Sequence, residues 1–80
     1  MQIRFSRSSR KHKVGRASAI TAMTNAGVPR EIDGQKLLWI GVDDRDRELE
    51  IIGFVAAEDP NLVIIIHVMP MIYRKEGHWE

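Results

Sequence analysis

Three runs in the second half of the chain are dense in branched and aromatic residues: LLWIGV at 37–42, RELEIIGFVA at 47–56 and NLVIIIHVM at 61–69. Each is bounded by turn formers, and together they predict three strands. DDRD at 43–46 is short enough for a hairpin, whereas AEDPN at 57–61 holds Pro60, a residue expected to end pairing. In the middle strand Leu49, Ile51, Gly53 and Val55 fall on one face while Glu48 and Glu50 begin the other. In the last strand, strict alternation sets Leu62, Ile64, Ile66 and Val68 against Val63, Ile65, His67 and Met69. A strand apolar on both sides is expected to be central, or to be covered by the C-terminal segment or a partner, because an exposed edge of this kind invites aggregation.

Ahead of the strands the period changes. From Gly15 to Ala26, Ala17, Ile20 and Met23, with Ala19, Ala22 and Ala26 alongside, recur at helical spacing, and Gly27 followed by Pro29 is a stop signal. VPREIDGQ at 28–35 reads as a polar connection. Gln2–Phe5 reads as a short strand or an irregular arm, and Ser6, Ser8 and Ser9 can each accept a bond from the free amides that open a helix, which predicts a helical turn through Arg10–Lys13. The sum is an α+β fold, an N-terminal helical segment packed on a three- to four-stranded antiparallel sheet. At 80 residues it forms a single domain, 1–80.

Composition narrows the class. Hydrophobic residues at 44%, charged residues at 29% and only three prolines describe a folded domain and exclude a disordered tail. Without cysteine there are no disulfides and no thiolate metal sites, and a reducing cytosol is compatible. The longest apolar run, Leu62–Ile66, is too short to cross a bilayer, and the basic start MQIRFSRSSRKHK leads into no apolar run of signal length. A soluble, cytoplasmic protein with no membrane partner is expected.

Charge changes the picture most. Residues 1–30 hold seven bases and no acid, whereas residues 31–62 hold nine acids and three bases, so the two segments carry +7 and −6. Either they neutralise each other across space, or the basic segment serves a polyanion, each base on a phosphate releasing a counterion. Cutting RNA without a metal needs a base for the ribose hydroxyl, positive charge for the developing phosphorane and an acid for the leaving oxygen. Histidine suits the proton transfers near neutral pH, and arginine or lysine suits the charge. The candidates for proton transfer are His12 and His67, with Tyr73 as a donor or base-stacking group. Arg10, Lys11, Lys13, Arg16, Arg74 and Lys75 are the candidate phosphate binders. Packed among bases, His12 is expected to have its protonated form disfavoured, which suits a general base. His12, His67 and His78 are too scattered for a zinc pattern, DDRD lacks the glycine and glutamate of a calcium loop, and no phosphate loop or dinucleotide fingerprint is present, so neither metal nor cofactor is expected. Trp39 reads as core, and Trp79 as a terminal residue.

The basic RKH at 10–12, a helix beginning VGRASAI, the stretch LLWIGVDDRDRELEII and the closing VIIIHVMP resemble the small toxins of bacterial toxin–antitoxin pairs, in particular the BrnT-like branch of the RelE superfamily. That resemblance implies a RelE-like helix-plus-antiparallel-sheet fold, a metal-independent endoribonuclease that cuts RNA during translation, and a cognate antitoxin protein as partner. By position, Lys11 and His12 match the family's basic motif, and Arg47 falls where the family has a strand arginine. From a different class, a non-catalytic RNA- or protein-binding module would use the same basic N-terminal surface, and either reading leaves room for a homo-oligomer.

Overall fold

A computed structural model describes residues 1–75. In chain order it holds β1 (Gln2–Phe5), a 3-10 turn (Arg7–Arg10), α1 (Arg16–Ala26), β2 (Arg30–Ile32), β3 (Lys36–Val42), β4 (Glu48–Ala56), β5 (Asp59–Pro70) and α2 (Met71–Lys75). His78 and Trp79 lie outside the described residues. The five strands form one sheet in the order β1-β5-β4-β3-β2. β2 to β5 make antiparallel pairs, whereas β1 runs parallel to β5, so the sheet is mixed and five-stranded, not the three- to four-stranded antiparallel sheet that local pattern suggests. The reason is range: a four-residue strand whose partner lies about sixty residues later has no turn to announce it. β5 is interior, as its two apolar faces require.

α1 packs on one face of the sheet. Ala19, Ala22 and Met23 from the helix meet Trp39, Leu49, Ile51, Val63, Ile65 and Val68 in the buried core. Gly41 on β3 lets the helix come this close, since a Cβ there would overlap the Ala22 carbonyl oxygen and touch Ala26. Two polar ties fix the helix to the β3–β4 hairpin: Ser18 Oγ donates to Asp44 Oδ1 at 2.7 Å and Asn25 Nδ2 to the Val42 carbonyl at 2.7 Å. The helix starts at Arg16 with Gly15 as its uncapped N-terminal flank, and ends at Gly27, whose φ of 79° a side chain would oppose.

The polar connection and the proline-containing turn both take part in pairing. VPREIDGQ contains β2, which turns back onto β3 through Asp33 and Gly34, both at positive φ. The Asp-Gly pair is the hairpin signal. Pro60 does not end pairing either, because β5 already begins at Asp59. Between the pairs Ala56↔Asp59 and Val55↔Val63 the register slips, and Pro60 falls where β4 asks for no amide. The serines also act differently from expectation. The helical turn sits at Arg7–Arg10, ahead of the expected Arg10–Lys13, and no serine side chain caps it. Instead Ser9 Oγ donates to the Ser6 carbonyl at 2.6 Å and Ser8 Oγ to the Ile66 carbonyl at 2.9 Å.

Ile66 is the hinge of the architecture. Ile52 opposes His67 while Gly53 opposes Ile65, so Ile66 is an extra residue, a bulge in β5. One residue inserted into a period of two reverses every later side chain. Val63, Ile65 and Val68 therefore share the face under α1, while His67 and Met69 point to the other face with Glu50. Strict alternation had placed His67 beside Val63 and Ile65. The bulged carbonyl is the one that Ser8 satisfies, so the bulge also anchors the N-terminal turn.

Candidate functional site

On the face away from α1, the reversed side chain of His67 meets groups from three other parts of the chain. Glu50, from β4, is buried there, with Oε1 at 3.1 Å from His67 Nε2 and Oε2 at 2.8 Å from Arg74 Nη1. An ionised carboxylate only accepts, so Nε2 of His67 carries a hydrogen toward it and Nδ1 is left as the second nitrogen for proton exchange. His12 approaches from the N-terminal turn, its ring centroid 6.3 Å from that of His67 and 5.3 Å from that of Tyr73. α2 supplies both Tyr73 and Arg74, folding back over β4 and β5. His12, His67 and Tyr73, separated by up to 61 positions in the sequence, are thus brought into one cluster.

The electrostatics of the cluster favour a neutral His12. Its partial burial lowers its pKa from the ordinary 6.5, and the nearby charges of His67 and Lys11 lower it further. At neutral pH it is available as a proton acceptor. Lys11 flanks it, and Arg74 stands across Glu50 from His67.

The remaining predicted binders divide. None of the seven bases in residues 1–30 makes an ion pair with an acid among the described residues, where the pairs are Lys36–Asp33, Arg47–Asp43, His67–Glu50 and Arg74–Glu50. The acidic segment therefore does not neutralise the basic one by contact. Arg10, Lys13 and Arg16 line a cavity together with Arg4, and His12 is not part of that lining. Lys75 ends α2, and its side chain lies outside the described residues. Arg47 is not a strand residue but the last residue of the β3–β4 turn. It is committed to structure: its Nε and Nη2 hold Asp43 Oδ2 at 2.9 and 2.8 Å. Burial by itself would raise the pKa of Asp43, yet hydrogen bonds from the Arg47 and Arg45 amides and from the Arg47 side chain outweigh it, and the carboxyl is held below its ordinary 3.8.

Sequence reasoning missed Glu50, which it placed on the side of β4 opposite Leu49 and Ile51 without giving it a role. The available signal was that Ile52 and Phe54 continue that same side, so the acid stands on an apolar surface and needs partners. Ser8 and Arg4 were also missed, because their roles depend on the β1–β5 pairing.

Comparison of the chain with protein-family models, with curated proteins and with solved structures finds no match. Among the described residues, no helix is long and apolar enough to cross a membrane.

Proposed function

We propose that the chain is a metal-independent endoribonuclease, a toxin of the BrnT-like kind in the RelE superfamily, held in check by a cognate antitoxin protein. The observation that carries this reading is the convergence of two imidazoles and a phenol beside Lys11, which pairs with no acid among the described residues, and Arg74, which Glu50 holds in place. In the reaction, neutral His12 takes the proton of a ribose 2′-hydroxyl and the 2′ oxygen attacks the adjacent phosphorus. The bond from phosphorus to the 5′ oxygen breaks, and that oxygen leaves with a proton from His67. The products are a 2′,3′-cyclic phosphate and a 5′-hydroxyl, and the enzyme's protons are restored by exchange with water. Tyr73, Lys11 and Arg74 oppose the charge that builds on the phosphoryl oxygens. Glu50 does not touch the substrate; it positions the His67 ring. An antitoxin would act most directly by laying acidic or apolar residues over the basic N-terminal segment.

The test is cleavage of single-stranded RNA by the purified chain in EDTA, and of messenger RNA in a translating extract. His12→Gln and His67→Gln keep hydrogen-bonding capacity but not titration near neutral pH, so each is expected to lower turnover by about 10²-fold or more while RNA affinity changes little. A folded double variant that cuts at the parent's rate removes the histidines from the mechanism. A parent that cuts nothing under either condition removes the enzyme and leaves the basic surface as a docking site.

A further inference from the structure

At the Arg10–Lys13 turn, lined by none of His12, His67 and Tyr73, lies a cavity of about 550 Å3, within the usual range for small-ligand clefts. Arg4, Arg10, Lys13 and Arg16 line it over a floor of Phe5 and Val14, and its lining includes no acid. These four bases come from β1, the end of the 3-10 turn, the loop after it and the first residue of α1. The fold thus gathers into one concavity like charges that repel each other, and no ion pair among the described residues offsets them. Arg16 is aimed by the protein: its guanidinium lies 5.3 Å from the centre of the Phe5 ring and its Nη2 donates to the Ile3 carbonyl at 3.2 Å. Lys13 is held at φ 57°, an uncommon conformation for a residue with a side chain, and its amide closes the turn on the Arg10 carbonyl at 3.0 Å.

That turn relates the cavity to the cluster. Arg10 and Lys13, its two ends, contribute to the cavity, while His12 between them goes to the cluster. The cavity thus begins at residues one and two positions from His12 in the chain, beside a strand of RNA held there. We infer that this cavity is a second phosphate subsite, which takes the phosphate next to the one that is cut and so sets the shortest good substrate. The inference rests on the ribonuclease reading for the identity of the ligand, and Arg4 joins the substrate-binding residues through it.

The experiment has two arms on the full chain. In the first, inorganic pyrophosphate is titrated while the Nε–H signals of the arginines are followed by NMR. Saturable shifts of Arg4, Arg10 and Arg16 are expected, weakened by about tenfold or more in Arg4→Gln and partly restored in Arg4→Lys. In the second, kcat/KM is compared for a bare dinucleoside monophosphate and for the same dinucleotide carrying a further phosphate at its 5′ or its 3′ end. One flanked form is expected to be the better substrate by about tenfold or more, and the advantage is expected to narrow in Arg4→Gln. If no substrate is cut, the catalytic reading falls, while the pyrophosphate arm still decides whether the cavity holds phosphate. The subsite is overturned if pyrophosphate gives no saturable shift at these arginines, or if bare and flanked dinucleotides are cut equally well.

Discussion

Replacing Glu50 separates positioning from stability. Its carboxylate is 6% exposed and serves two partners, His67 at 3.1 Å and Arg74 at 2.8 Å. A hydrogen bond to a charged group contributes about 1.5–3 kcal/mol, but the two partners are 32% and 42% exposed, so water takes over much of each bond once the carboxylate is gone. Burying the carboxylate has its own desolvation cost, which leucine relieves. Glu50→Leu is therefore expected to cost only about 1 kcal/mol, a fall in Tm of roughly 4–8 °C for a domain of this size. Glutamine keeps the shape and changes the hydrogen-bond pattern. Its carbonyl oxygen can accept from Arg74, but its amide nitrogen then faces His67 Nε2, which must become an acceptor, so the ring proton moves to Nδ1. Both variants are expected to fold, and both are expected to lose turnover by about 10²-fold or more, the scale of a misplaced acid or base. Thermal and urea melts give the stability, initial cleavage rates give the turnover, and the 15N shifts of the His67 ring report its tautomer. The reasoning is refuted if either folded variant cuts RNA within twofold of the parent, or if Glu50→Gln leaves the His67 nitrogens unchanged.

Four further outcomes follow from the geometry. Because His12 has a lowered pKa in the folded chain, its protonation opposes folding: the stability it contributes is whole above pH 6.5 and is lost as pH falls through the lowered value, a slope that pH-dependent urea melts should show and His12→Gln should abolish. Asp43 has the same sign at lower pH: its contribution is present above pH 3.8 and disappears on further acidification, and Asp43→Asn should cost about 2 kcal/mol at neutral pH while flattening the acid limb of a stability curve. Gly41→Ala drives a methyl group into the Ala22 carbonyl and should cost about 1–3 kcal/mol or more, read as a lower Tm, whereas an unchanged Tm would mean that α1 does not lie against β3 as described. Binding of single-stranded RNA should weaken with salt, log K falling by about 0.7 per phosphate contacted for each unit of log salt, and a slope near zero in filter binding would remove the polyanion.

Sequence by itself determined what depends on near neighbours. The helix that ends at Gly27, the three strands, the DDRD hairpin, Trp39 as core and the interior place of the last strand follow from periods of 3.6 and 2 and from turn chemistry, which act within a few residues. His12, His67 and Tyr73 could be nominated because their chemistry belongs to their side chains. Tertiary structure decided where that chemistry meets. The parallel pairing of β1 with β5 and the bond from Ser8 to the bulged carbonyl join segments about sixty residues apart, the bulge at Ile66 arises where β5 pairs with β4, and only their combined geometry fixes which face a side chain takes. One unpaired residue in β5 turned His67 away from the core and toward Glu50, an outcome no local period encodes, because alternation is a property of a strand whereas a bulge belongs to the pairing of two.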